Sequence, residues 1–238
     1  MRNIIKQVLV SPTDKNNQKK QKNPYKRQLG ILKKIWAGQH NDFGLERIMR
    51  FICCLFQFVS ISTLIRFLLG KLGFVWKKIA IDLYLILLIL FPIVVLWTGA
   101  YDSIIIRGFL IYFVVDTIIY NMNFIFLSDI IPSTASYVRN LIGLFCNYIF
   151  VLLAFAVFYM HTGSNEDNMT PIQVIYYSTT VQSTLGFGEI HPNTNAGYIT
   201  VVAQTLIALV FVCVFFATTI SKLRDHTFYN SDQREENK

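Results

Sequence analysis

Charge is what this sequence has least of. Of its 238 residues only 15% are Asp, Glu, Lys or Arg, while 53% are hydrophobic. Soluble domains carry about 25% charged residues, so a water-soluble globule is excluded for most of the chain. Cysteine is scarce as well. Cys53, Cys54, Cys146 and Cys213 all fall in apolar stretches at no metal-ligand spacing. That argues against a disulfide framework or a zinc site and leaves four buried small hydrophobes. The start of the chain lacks the apolar run of about 7–15 residues that a cleaved signal peptide needs; Met1–Val10 is mixed and a polar run follows. The apolar region holds no paired carboxylates at working spacing, no nucleophile beside a base and no nucleotide loop. An enzyme is therefore not expected, nor is an organic cofactor.

The net charge of +8 is unevenly placed: residues 1–50 hold twelve Lys and Arg against Asp14, Asp42 and Glu46. Residues 11–28 are rich in Lys, Asn and Gln and contain Pro12 and Pro24, the composition of a disordered segment. Residues 1–46 thus read as a basic, partly disordered arm. Such an arm alone suggests nucleic acid. Beside long apolar segments it reads instead as cytoplasmic retention with attraction to anionic lipid, worth about 1 kcal/mol per basic residue near the surface. Membrane lipid is the expected partner, and nucleic acid is not.

Five apolar segments follow: Arg47–Leu69, Ile79–Thr98, Ile104–Leu127, Leu141–Met160 and Tyr198–Ile220. A membrane helix needs about 20 apolar residues, and the last four segments qualify. Lys222 and Arg224 after the final segment favour a cytoplasmic C-terminus, so the tail at 223–238 lies inside. Working backwards, Lys77 and Lys78 and then Arg139 fall inside, while the connector Gly99–Ser103, without Lys or Arg, falls outside. If Arg47–Leu69 also crossed, the basic arm would lie outside. That conflict favours an interfacial helix at 47–70, although Arg50, Gln57 and Arg66 do not sort onto one face. The region 79–127 is then a two-helix transmembrane hairpin. Asp116, near the middle of its segment, is costly there and functional by default, or else a structural hydrogen-bond partner.

Between the last two segments lies Tyr176-Tyr177-Ser178-Thr179-Thr180-Val181-Gln182-Ser183, followed by Thr184-Leu185-Gly186-Phe187-Gly188-Glu189. Thr170-Pro171 predicts a helix start, Thr as N-cap and Pro at the first helical position. A helix over 171–183 makes about three and a half turns, too short to cross a membrane. Its C-terminal, negative end would favour a cation. Glycine tolerates φ > 0, so the strand after it can turn its carbonyls to one side and replace a cation's hydration shell. The block resembles the selectivity filter of the potassium-channel family, T-x-G-[YF]-G-[DE]. The resemblance extends over 139–222, about a third of the chain: outer helix 141–160, pore helix 171–183, filter 184–188 and inner helix 198–220.

That resemblance implies a potassium-channel-like pore module; with the apolar segments before it, the chain is expected to be an all-α membrane protein in which two further transmembrane helices and an interfacial helix precede the pore module. It implies a homotetramer, since each chain carries one filter block and no internal repeat is visible. Carbonyls of Thr184, Leu185, Gly186, Phe187 and Gly188 would hold K⁺, the Thr184 hydroxyl completing the innermost site. Glu189, Tyr176, Tyr177, Thr180 and Ser183 would support the filter. Gly197 matches a glycine near the outer end of the inner helix in some members. Leu185 stands where Val or Ile is usual, and Glu189 where Asp is commoner, with Tyr177 or Thr180 as its candidate partners. Both departures keep a weakly selective cation channel open as an alternative, alongside a non-conducting channel-like subunit.

Ala208 stands where many members have a hinge glycine, so bending there is expected to be harder. Ala208, Phe211, Phe215 and Phe216 are candidates for a gate or pore lining, with packing the commoner fate of such aromatics. Glu166 and Asp167 would ring an external mouth with negative charge, or simply be solvated; His191 would sense external pH, or simply be exposed. No helix repeats basic residues at every third position, as a voltage sensor requires, and sixteen residues after Lys222 are too few for a ligand-binding domain. The expectation is a leak-like channel.

Overall fold

The computed structural model describes residues 24–36, 44–68, 74–126, 137–163 and 169–221. The basic arm before residue 24, the segment carrying Glu166 and Asp167, and the tail after residue 221 lie outside the described residues. All regular structure among those described is helical. The chain divides into two compact units, 1–84 with 122–131, and 85–121 with 132–238.

The first unit is built on α1 (Pro24–Trp36), α2 (Leu45–Val59) and α3 (Ile61–Leu68). Ile31 and Ile35 of α1 close on Cys53 and Cys54 of α2, with Leu32, Met122 and Phe126 packed against them. Burial pushes both thiols up, Cys54 to about 11. They stay protonated and behave as small hydrophobes. Tyr25 stacks on Phe58 and meets Phe67 edge-on. Gln28 donates to Gln57 and Thr63, and Arg50, itself buried, pairs with Glu46 at 2.6 Å.

The segment expected as one helix over 47–70 is broken. Ser60 is extended, with ψ 131°. Its N–H still donates to Phe56 O, and its carbonyl accepts from Thr63 and Leu64. One residue thus ends α2 and starts α3. At about 1.5 Å per residue neither piece spans a hydrocarbon layer of about 30 Å.

Among the described residues, four helices are long and apolar enough to cross a membrane: Ile79–Thr98, Ile104–Asn123, Arg139–Thr162 and Asn195–Ser221. They belong to α4 (Phe74–Thr98), α5 (Ile104–Phe126), α6 (Tyr137–Thr162) and α8 (Asn195–Leu209), the last continuing beyond its regular α part. The short helix α7 (Pro171–Gln182) lies between α6 and α8 in sequence. In the second unit α6 is central. Phe150, Val151, Ala154, Ala156 and Val157 are fully buried. Phe113 of α5 bridges Phe91 of α4 and Phe150 of α6 through edge-on ring contacts. In the first turn of α5, Arg107 donates to the carbonyls of Tyr101 and Asp102, and Asp102 meets His161 at 3.3 Å. The lone arginine of α5 therefore fastens the connector.

Candidate pore module

The site begins with a capped helix. Thr170 accepts from the Gln173 N–H, and the Gln173 side chain accepts from the Thr170 N–H at 2.8 Å, a complete capping box with Pro171 at the first position. This satisfies donors that a helix start otherwise leaves open.

The other end of α7 accounts for all of its last four carbonyls. Thr179 O accepts from Ser183 N at 2.9 Å. Thr180 O accepts from both Leu185 N and Gly186 N, at 3.0 and 3.3 Å, and Val181 O from Thr184 N at 3.1 Å. Gln182 O accepts from the Tyr148 hydroxyl of α6 at 3.3 Å. The strand leaving α7 is thus pinned back onto it by its own first amides. Ser183 Oγ donates to Thr179 O, and Thr180 Oγ1 to Tyr177 O.

From there φ is positive at every second residue: Thr184 at 59°, Gly186 at 55° and Gly188 at 80° are positive, and Leu185 and Phe187 are not. In an ordinary extended strand successive carbonyls point to opposite sides. Reversing φ at alternate residues turns alternate peptide planes over, so that carbonyls in a row can share one side. Thr184 is the only non-glycine residue with positive φ among the described residues. A β-branched residue there is strained by about 1–3 kcal/mol. Residues 183–189 are all exposed in the single chain, Leu185 and Phe187 at 63% each.

The strand is led away by a tight corner. Thr194 Oγ1 accepts from Gly197 N at 3.0 Å, capping α8, and donates to Thr162 O at 2.7 Å, tying the end of α6 to the start of α8. A Cβ on Gly197 would lie 2.8 Å from Pro192 Cβ and 3.2 Å from Thr194 Oγ1. That approach is why glycine stands there.

Of the expected supporting residues, Tyr177 is buried with its ring 4.6 Å from that of Tyr159, and Thr180 is buried at the pinning point. Tyr176, Ser183, Glu189 and His191 are exposed. The inner-helix candidates fare differently. Ala208, Phe211 and Phe215 are buried within the chain, and Phe216 is half-buried. Tyr148 holds the rings of Phe211 and Phe216 at 5.9 and 6.0 Å. Within the single chain these side chains are packed against their neighbours. Nor does α8 stay regular near Ala208: Val210–Phe216 is π-helical. The irregularity that a hinge glycine would supply is present two residues further on, by another route.

Sequence reasoning missed a buried polar network. Gln204 of α8 is fully buried; its Nε2 donates to Ser178 O at 3.0 Å, Ser178 Oγ at 2.9 Å and Gln182 Oε1 at 3.0 Å. Its Oε1 accepts from Tyr159 OH at 2.6 Å. Ser178 Oγ donates in turn to Leu152 O, and Gln182 Nε2 to Tyr148 O. The signal was available: Gln204 is the one amide in an otherwise nearly apolar span, where a strongly polar group marks a site by default.

Residues 147–225 match the family profile described as an ion channel. This part of the chain is a potassium-channel-like pore module. No curated protein and no solved structure matches the chain. The matched stretch holds most of α6, the capped α7, the sign-alternating strand and the described part of the inner helix, about a third of the 238 residues. With four membrane-length helices among its described residues, the chain is an all-α multi-pass membrane protein whose matched part is that of an ion channel. No cluster of three or more His, Cys, Asp or Glu able to hold a metal occurs among the described residues.

Proposed function

We propose that four copies of this chain surround a central pore and conduct K⁺ passively, with the carbonyls of Thr184, Leu185, Gly186, Phe187 and Gly188 replacing the ion's hydration shell. The observation that carries this is the alternation of φ at 184, 186 and 188, between a helix too short to span and a helix that does. A row of carbonyls on one side of one strand cannot enclose an ion. The exposure of Leu185 and Phe187 and the single such strand per chain support closure by identical neighbours. The positive-inside distribution supports both termini on the cytoplasmic side and the filter opening outward, with the basic arm near anionic lipid. Without a basic repeat in any span, the channel is leak-like. His191, exposed beyond the filter, and Glu166 with Asp167 belong to the outer mouth on this reading.

Leu185 and Glu189 favour one second reading, a weakly selective cation pore on the same scaffold. Reconstitution of the wild type and Gly186→Ala in planar bilayers tests both. A wild-type reversal potential following the K⁺ gradient in mixed K⁺ and Na⁺, and loss of at least about 90% of the current in the variant, are expected. Unchanged current in Gly186→Ala would overturn the filter assignment; a reversal potential near zero in mixed cations selects the weakly selective pore.

A further inference from the structure

We propose that Gln204 is a positioning residue for ion selection: from the inner helix it fixes the C-terminal half of the pore helix, and through it the filter. This rests on the reading of 184–188 as the filter.

The residues form an unbroken chain of contacts inside one unit. Gln204 grips the pore helix at Ser178, by backbone and hydroxyl, and at the Gln182 side chain. Between those two residues lies Thr180, whose carbonyl accepts from the amides of Leu185 and Gly186. Any rotation of the pore helix about its axis moves Thr180 O and drags both amides with it. The Gln204 amide has one workable orientation. Its NH₂ end must face the Ser178 carbonyl, which only accepts, and its oxygen then faces the Tyr159 hydroxyl. Tyr159 anchors that oxygen to the outer helix, and Ser178 Oγ closes on the Leu152 carbonyl. Outer, pore and inner helices are thereby joined through one side chain with every polar atom used. An apolar residue at 204 would leave four partner atoms to find new geometry at membrane depth.

The network also reaches downward. Tyr148 accepts from Gln182 Nε2 through its carbonyl, donates to Gln182 O through its hydroxyl, and carries the rings of Phe211 and Phe216 from the π-helical stretch. Gln204 therefore sits where the inner helix can report its own rearrangement to the filter.

The test measures the K⁺ to Na⁺ permeability ratio of reconstituted full-length channels carrying Gln204→Leu, Gln204→Glu, Ser178→Ala and the Gln204→Leu/Ser178→Ala pair, with tetramer recovery recorded for each. Gln204→Leu is expected to lower the ratio roughly threefold to tenfold, the scale of one or two hydrogen bonds made in one filter geometry and not in another. Gln204→Glu, which as a neutral acid keeps an acceptor for Tyr159 and one donor, is expected to restore part of it. Adding Ser178→Ala to Gln204→Leu is expected to lower it by less than Ser178→Ala lowers it in the wild type, because the contact between Gln204 Nε2 and Ser178 Oγ is already gone. Assembled Gln204→Leu channels with wild-type selectivity would overturn the proposal. Should that variant not assemble, Gln204→Glu decides, since it alters the Gln204 donors alone: a lowered ratio supports the proposal and an unchanged ratio overturns it. Absence of K⁺ current in the wild type would instead strike at the filter reading itself.

Discussion

Thr184 holds a backbone conformation that its side chain disfavours, and Gly197 stands where no side chain fits. These two residues show what single positions contribute here. The positive φ of Gly186 and Gly188 was legible because it is carried by residue type: two glycines separated by one aromatic allow it at both. Thr184 was expected for its carbonyl and its hydroxyl, and its strain was not legible, since nothing in a threonine announces a positive φ. Gly197 was legible by resemblance alone, because its reason is a distance to Pro192 that no local pattern encodes. Gly197→Ala should cost about 1–3 kcal/mol through forced displacement of Pro192 or Thr194. Thermal unfolding of the detergent-solubilised protein checks this, and a midpoint equal to that of the wild type would contradict the close approach.

Helix starts were easy to read and helix interiors were not. Thr170 and Pro171 announce α7 because capping is a local matter between near neighbours. The π-helical stretch has no such sign: Val210–Phe216 contains neither glycine nor proline. A contact with another helix accompanies it. Residues five apart point about 140° away from each other on an α-helix, so Tyr148 could not touch both Phe211 and Phe216. An i→i+5 repeat brings them to nearly the same side, and Tyr148 touches both. Two variants separate the roles of this tyrosine. Tyr148→Phe keeps the ring contacts and removes the donor to Gln182 O, costing about 1 kcal/mol. Tyr148→Ala removes both and should cost about 3–5 kcal/mol. Equal losses in the two unfolding midpoints would mean that the ring contacts contribute nothing.

At the scale of the whole molecule, composition and charge identified a membrane protein, and four of the five apolar segments correspond to helices of spanning length. The fifth was ambiguous because charge argued against crossing while length allowed it. The extended Ser60 removes the length, which no breaker residue in Arg47–Leu69 had signalled. With α2 and α3 both too short to cross, the basic arm and the C-terminal tail are predicted to share one side. Trypsin added to the tail side of sealed vesicles should cut at Lys15–Lys22; cleavage only from the opposite side would refute the topology.

The exposure of residues 183–189 in the single chain also has a genetic consequence. If the conduction path exists only when four strands close on one another, a subunit with a ruined strand but an intact scaffold still takes its place in the ring. Random mixing with equal amounts of such a subunit leaves roughly one in sixteen tetramers wholly wild type. A filter-disrupting allele of this chain would therefore behave as a dominant negative, and a null allele would not.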